Sequence, residues 1–312
     1  MSSVPEVSVV IPTRNRWGFL NRTLLTVLGQ EDVSLEVIVV DDGSTDETAE
    51  RLGEIPDPRL TVLRNDTGTG VARARNLGMS RATGAWIAWL DDDDFWAPHK
   101  LRTQLAAAGA ARADFVWGEA LVIAPDGRLV GFEPAPDPAD FAGRMRWRNP
   151  MPGGCSNAIA RAETVRAAGG FDESLHVVAD WDYWIRLLDH GRAAAIHEPL
   201  LAYVVHTENM VLRESADVLD EFERFASKHE DGSGNTRFDR PAFCDWIAKG
   251  LRRAGRRREA ARLFLRVGIS ERSPKSIGLA VRVLLGEWAV ELPRRRWKPA
   301  IPPRPEWLDA LP

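Results

Sequence analysis

Between residues 7 and 90 the chain switches repeatedly between strand-like and helix-like spacing of its apolar residues, and few architectures satisfy that alternation. Val7–Ile11 is an apolar run of strand length bounded by Pro12, and residues 17–28 put Phe19, Leu20, Leu24, Val27 and Leu28 at helical spacing. Leu35–Val40 reads as a second strand closed by Asp41-Asp42-Gly43-Ser44, and Thr45–Leu52 as a helix with Ser44 as its N-cap. A strand over Leu60–Leu63, a helix over 70–82 and a strand over 85–90 follow. Strands alternating with helices imply parallel βαβ units, so the expected fold is α/β, with a mostly parallel central sheet flanked by helices. Ligands of such sheets bind beyond the carboxyl ends of the strands. Pro12-Thr13, Asp41-Asp42 and Asp91–Asp94 all lie at such ends, and the three polar clusters are expected to meet in one crevice.

The run Asp91-Asp92-Asp93-Asp94 follows the apolar segment Ala85–Leu90 and precedes Phe95 and Trp96, so the chain leaves a core directly into four negative charges. Carboxylates this close repel one another, and burying them unpaired costs several kcal/mol or forces protonation. A positive charge should sit there, and oxygen-only ligands suit Mg²⁺ or Mn²⁺ rather than Zn²⁺. In an extended segment Asp91 and Asp93 share one face, and Asp92 and Asp94 the other. A solvated acidic loop, or a helix N-terminus that favours aspartate, would explain the run equally well on its own.

The second half is more mixed. Phe115–Ile123 reads as a strand, Pro125-Asp126-Gly127 as a turn and Leu129–Phe132 as a further strand, while residues 133–138 and Asn149–Gly154 read as loops. Glu163–Ala168 and Asp180–Leu188 read as helices. From about residue 210 the pattern is helical, Arg256–Val267 and Lys275–Leu285 form a helical hairpin, and the proline-rich residues 299–312 read as extended. The expected division is an α/β domain over 1–210, in halves over about 1–110 and about 111–210, followed by a basic helical region over 211–312.

Two cysteines far apart, Cys155 and Cys244, support neither a disulfide framework nor a cysteine zinc site. The N-terminus shows no signal-type segment and no apolar window approaches the ~20 residues that cross a bilayer, so a cytoplasmic protein is expected. The net charge of −4 hides an asymmetry, because residues 251–298 hold 14 Lys and Arg against 4 Asp and Glu. Such a block marks an anionic partner, and its low aromatic content weakens a nucleic-acid reading in favour of the inner face of a membrane. An Arg-rich helical cap packed on the protein's own acidic part explains the block as well. A dinucleotide oxidoreductase would want G-x-G-x-x-G after the first strand, whereas Gly68-Thr69-Gly70 lies elsewhere and lacks the third glycine.

Val7–Thr13, Val39–Asp46, Gly70–Gly78, Gly84 and Leu90–Asp94, followed by Gly169–Glu173, Ala179–Trp184, Glu198–Tyr203 and His206, resemble in order and spacing the family 2 glycosyltransferases of the GT-A fold. The resemblance covers roughly residues 5–210. It implies an inverting, metal-dependent transfer of sugar from a nucleoside-diphosphate sugar, most simply a UDP-sugar, to the hydroxyl of a carbohydrate, lipid-linked or small-molecule acceptor. On this resemblance Asp42 reads the base, Pro12, Thr13 and Arg14 floor the nucleotide site, and Arg73 or Arg75 contacts the nucleotide or its diphosphate. Asp91 approaches the ribose or sugar, Asp93 binds Mn²⁺ or Mg²⁺ with Asp91 and His206 as further candidate ligands, and Asp92 supports the site. Asp180 is the implied general base and Asp182 its rival, with Ala179 standing where the family has an acidic companion. Trp181, Tyr183 and Trp184 could stack on a sugar or fill a core. Two other classes remain open at this point. A nucleotidyltransferase on a similar sheet would want a glycine-rich loop where this chain has Pro12-Thr13-Arg14-Asn15, and a silent sugar-nucleotide binder would show no metal-dependent donor hydrolysis.

Overall fold

The computed structural model describes residues 4–206, 218–230, 237–253, 255–285 and 300–311. Contacts divide the chain into two compact units, Met1–Phe141 with Met151–Val205 and Pro299–Pro312, and Ala142–Pro150 with His206–Lys298.

The first unit opens as its apolar periods require: β1 (Val7–Thr13), α1 (Trp17–Leu28), β2 (Leu35–Asp41), α2 (Thr48–Gly53), β3 (Leu60–Arg64), α3 (Val71–Arg81) and β4 (Trp86–Trp89). There follow β5 (Phe95–Trp96), α4 (Lys100–Ala111), β6 (Phe115–Ile123), β7 (Leu129–Glu133) and α5 (Pro138–Arg144). A 3₁₀ turn (Gly154–Asn157), β8 (Ile159–Arg161), α6 (Ala162–Ala168), α7 (Ala179–Leu188) and β9 (Ala193–Val204) complete the series. The nine strands form one sheet in the order β3-β2-β1-β4-β8-β6-β9-β5, with β7 on β6. Strands β1 to β4 pair in parallel, and antiparallel pairs enter only from β8 onward.

The unbroken apolar runs follow from a sheet covered on both faces. Val7, Val9, Ile11, Val37 and Val39 pack into one core with Leu20, Leu24 and Val27 of α1, while Ile38 and Val40 turn to the opposite face against Ala74 of α3. Each fully buried Val or Ile contributes roughly 1.5–3 kcal/mol. At Gly78 a Cβ would lie 2.4 Å from Val10 Cγ1, so only glycine lets α3 settle this close to β1.

Pro12 does not end β1, contrary to the boundary expected from sequence, because β1 runs on in register as Pro12↔Val40 and Thr13↔Asp41. The Val10 carbonyl accepts from Leu90 N, so Pro12, two residues on, faces the β4 side where pairing has already stopped. Its missing N–H therefore leaves no ladder bond unmade. Ser44 is not the N-cap of α2, which starts three residues later than the predicted helix, since its Oγ accepts from Asn15 N at 2.9 Å.

Two further differences concern the far end of the sheet. β9 is a 12-residue strand through Pro199, pairing in parallel with β6 across two register shifts. The residues 299–312, expected to be extended, include a short helix at Glu306–Asp309 whose Leu308 is buried against Phe95, Leu121 and Val204. Arg304 also donates to the Gly127 carbonyl at 2.9 Å.

The described residues of the second unit include helices α8 (Val218–His229), α9 (Arg240–Arg253), α10 (Arg257–Ser270) and α11 (Pro274–Leu285), so that the helix at Glu306–Asp309 is α12. Phe222 stacks on Phe243 with centroids 4.0 Å apart, and Arg240 ties Glu223 to Glu230 at 2.7 and 3.0 Å. The hairpin predicted over 256–285 is present as α10 and α11; residues 286–298 of the basic block lie outside the described residues. No helix among the described residues is long and apolar enough to cross a membrane.

Candidate functional site

Because β2, β1 and β4 are adjacent and parallel, their carboxyl ends bring Asp41-Asp42, Pro12-Thr13 and Asp91–Asp94 together. Asp42 N donates to the Thr13 carbonyl at 2.9 Å, and Thr13 Oγ1 donates to Asp92 Oδ2 at 2.7 Å.

Asp42 organises the loop after β3. Its Oδ1 accepts from Asn65 Nδ2 and Thr69 Oγ1, each at 2.7 Å, and its Oδ2 from Thr69 N and Gly70 N at 2.9 and 2.8 Å. Burial works to raise its pKa, but these donors outweigh it and hold the carboxyl below its ordinary value. The following residue, Gly43, has a φ of +74°, and a Cβ there would lie 2.7 Å from the Thr67 carbonyl carbon. Glycine is required on both counts. The exposed Arg14 guanidinium lies over Gly68 of the same loop. Asp42 and Arg14 thus border one segment, residues 65–70, and Asp42 is first of all the residue that holds it.

The four aspartates are separated by their partners. Asp91 is the most open, with a side chain 32% exposed, and pairs with Arg75 at 2.5 Å. Asp92 and Asp93 are buried and share Arg16, whose Nη1 is 3.1 Å from one and 2.8 Å from the other. Burial and then the Asp93 charge push the Asp92 carboxyl up to about 7, against the pull of Arg16 and Thr13. Asp94 is fully buried and accepts from Ser156 Oγ at 2.5 Å and Val204 N at 2.9 Å, which binds the 3₁₀ turn and β9 to the end of β4. Thr23 of α1 has its hydroxyl 3.0 Å from the carbonyls of both Asp92 and Asp94, fixing the backbone of the run.

Arg73 and Arg75, equivalent in the sequence, part company here. Arg73 is exposed and pairs with Glu173 at 2.8 Å. Arg75 is buried, lies 5.3 Å from the Phe171 ring centroid, and has no acceptor for its Nε among the described residues. Burial opposes its charge, yet the neighbouring Cys155, Asp91 and Asp180 together outweigh that cost and hold it more firmly protonated than usual.

Asp180 and Asp182 also separate. Asp182 is fully buried and accepts twice from Arg186, at 2.9 and 2.6 Å, while Arg186 continues to the Ala168 carbonyl. That closed ion pair ties α7 to α6. Asp180, in the first turn of α7, is only partly buried, and its Oδ1 accepts from Trp181 N at 2.7 Å. Its charge acts on Arg75 and on the Cys155 thiol, and its Oδ2 lies 3.8 Å from the position of a Cβ on Gly154. Asp180 therefore joins Asp91 and Arg75 in one charged cluster beside the Cys155 thiol, while Asp182 is closed off by Arg186.

Burial pushes the Cys155 thiol well above its ordinary pKa, so it stays protonated and weakly nucleophilic. Trp181, Tyr183 and Trp184 are each at most 1% exposed. Tyr183 stacks on Phe171 at 4.2 Å and Trp184 on Phe115 at 5.4 Å, so these rings fill the core and are not sugar platforms. His206 begins the second unit, and its metal role continues to rest on the resemblance alone.

Among the described residues no group of three or more His, Cys, Asp or Glu side chains is arranged to hold a metal by itself. The donor chemistry nevertheless suits a hard cation, since burial and the Asp93 charge raise the Asp92 carboxyl despite Arg16 and Thr13. Asp91 and Asp93 could supply two carboxylates, with water and phosphate oxygens completing the shell. Sequence reasoning missed Arg16 and Ser156. Arg16 is the second of two arginines that follow Thr13 at the end of β1, and only packing separates it from Arg14, whereas Ser156 reaches Asp94 across 62 residues and left no local signal.

A sheet that gathers buried carboxylates at the ends of parallel strands and becomes mixed beyond them defines a nucleotide-diphospho-sugar transferase architecture of the GT-A kind. Staphylococcus aureus TarS 1–349 in complex with UDP-GlcNAc shares this fold at a TM-score of 0.62 and 18% identity, over 89% of this chain and 81% of that one. Mannosyltransferase PcManGT from Pyrobaculum calidifontis, in complex with GDP-Man and Mn²⁺, shares it at 0.55 and 20% identity, over 93% and 83%. The chain belongs to glycosyl transferase family 2, whose profile matches residues 8–162. It is 31% identical over 203 residues to the putative teichuronic acid biosynthesis glycosyltransferase TuaG of Bacillus subtilis, covering 64% of this chain and 79% of TuaG. It is 32% identical to the succinoglycan biosynthesis protein ExoO of Rhizobium meliloti over 66% of this chain. It is 33% identical to WfgD of Escherichia coli, a UDP-Glc:alpha-D-GlcNAc-diphosphoundecaprenol beta-1,3-glucosyltransferase, over 38% of this chain. The chain spans 62% of ExoO and 46% of WfgD, less than two thirds of either.

Proposed function

We propose that the protein transfers a hexosyl group from a UDP-sugar to a hydroxyl of a lipid-linked glycan, with inversion at the anomeric carbon. The observation that carries this reading is the shared charged cluster of Asp180, Asp91 and Arg75, a part-exposed carboxylate beside the aspartate run. Pro12, Thr13 and Arg14 floor the nucleotide site, and Asp42 receives the uracil N3–H in exchange for the Asn65 amide it now holds. Arg75, with its unused buried Nε, and Asp91 orient the ribose or sugar. Asp93 and Asp91 would hold Mn²⁺ or Mg²⁺, with Asp92 as support. The cation, when bound, supplies Lewis-acid stabilisation of the departing diphosphate. Asp180 takes the proton from the acceptor hydroxyl as its oxygen bonds to the anomeric carbon and the bond to the diphosphate breaks, a role worth roughly 10²–10⁴-fold. The UDP donor and the lipid-linked acceptor are suggested by the name of WfgD. The test is a panel of UDP-, GDP- and dTDP-sugars with Mn²⁺, read by thermal shift and by donor hydrolysis. Stabilisation and slow hydrolysis with one UDP-hexose are expected. No response to any nucleotide sugar would sink the proposal, and stabilisation without hydrolysis would point to a silent binder.

A further inference from the structure

Helices α10 and α11 of the second unit bury one face each and expose a second apolar one. Ala260, Leu263, Phe264 and Val267 of α10, and Ala280 and Val283 of α11, are buried. On the outside, Leu265 and Ile269 are 44% and 65% exposed, and Ile277, Val281, Leu284 and Leu285 are 39%, 51%, 60% and 62% exposed. Positions 277, 281, 284 and 285 fall on one stripe of α11, and 265 and 269 on one stripe of α10. The helices touch at Gly268 and Ile277, next to Ile269, where a Cβ on Gly268 would lie 2.6 Å from Ile277 Cγ1.

The cations beside these residues are not used up internally. Arg258 and Arg262 precede Leu265 on its own stripe, and Arg272 and Lys275 flank the turn between the helices. All four are exposed, and none forms an ion pair among the described residues. A second copy of the chain would set these cations against their like, which disfavours a self-complementary contact. Aliphatic side chains bordered by unpaired Arg and Lys instead complement a surface that is apolar beneath and anionic above.

We propose that this face docks on an anionic lipid bilayer, the six aliphatic side chains entering the headgroup–acyl boundary and the four cations meeting lipid phosphates. Docking of this kind lays helices on the surface without crossing it. The proposal goes beyond the transfer reaction, and its test reads vesicle binding rather than turnover, so either can fail without the other.

The full chain is sedimented with vesicles of equal parts phosphatidylglycerol and phosphatidylcholine, and with pure phosphatidylcholine. Wild type should partition to the mixed vesicles and far less to the pure ones, and added salt should weaken it. Ile269→Glu with Leu284→Glu should lower partitioning on the order of tenfold, and Arg258→Glu with Arg262→Glu should do so independently. Both pairs alter exposed side chains, so melting temperature and donor hydrolysis should stay at wild-type values. If the apolar pair melts early, the charge-reversal pair decides. Failure of wild type to bind mixed vesicles at low salt, or undiminished binding by the charge-reversal pair, would overturn the proposal. So would self-association abolished by Ile269→Glu with no vesicle binding.

Discussion

Two acidic clusters occupy the ends of β2 and β4, on either side of β1, and are stabilised in opposite ways. Asp42 is surrounded by uncharged donors from Asn65, Thr69 and Gly70, which hold its carboxyl below its ordinary pKa despite burial. Asp92 and Asp93 share the Arg16 guanidinium, and Asp92 still lies near 7 because burial and its neighbour's charge prevail. The first cluster is a completed hydrogen-bond node. In the second, burial and the Asp93 charge still oppose ionisation of Asp92, an opposition that a hard cation would relieve. In the proposed function the first cluster is the rigid side that would shape the nucleotide, and the second the side that would take up metal and diphosphate.

The largest effect should follow from Asp93→Ala, which removes charge from the second cluster. Mn²⁺-dependent donor binding, measured by titration calorimetry, should fall at least ~100-fold, since even the loss of an outer-shell partner costs roughly 10–100-fold in metal affinity. Unchanged Mn²⁺-dependent binding would erase the distinction between the clusters. Asp42→Ala tests the other side. It leaves the buried-side donors of Asn65, Thr69 and Gly70 without their acceptor, at about 1–3 kcal/mol for each that water cannot reach. A drop of several degrees in melting temperature is expected, with weaker UDP binding.

A smaller effect is expected from Arg16→Gln. Arg16 neutralises Asp93 where a cation would compete for it, so Mn²⁺ affinity without nucleotide, followed by electron paramagnetic resonance, should rise several-fold. Weaker Mn²⁺ binding would make Arg16 a support rather than a competitor. The smallest effect concerns acid stability. Because the folded Asp42 pKa is depressed, its contribution is full above the unfolded value near 3.8 and is lost as pH falls through the lower folded value. Asp42→Asn should therefore lower stability at neutral pH and flatten the acid limb of the stability curve below about pH 5.

The comparison also separates what was legible in the sequence. The β1–β4 half was readable because each strand and helix advertises its own period, and the strand ends had to converge once the sheet was parallel. β9 was not, because Ala193–Ala195 and Pro199 give it no strand pattern and its partner β6 lies about 80 residues earlier in register, as in Val122↔Tyr203. The clusters divide in the same way. The aspartate run announced its need for positive charge, yet the supply from Arg16 and Arg75 depends on packing. The resemblance favoured Asp180 over its rival Asp182, and the physical reason to separate them, Arg186 closing over Asp182 one helical turn on, shows only in the packing.

The central claim is that Asp180 draws the proton from the acceptor while the two acidic clusters hold the donor. Its most direct test is Asp180→Asn, with donor affinity and transfer measured on the same preparation. The account predicts UDP-sugar binding within about twofold of wild type and transfer reduced by roughly 10²–10⁴-fold. Wild-type turnover in Asp180→Asn would contradict it.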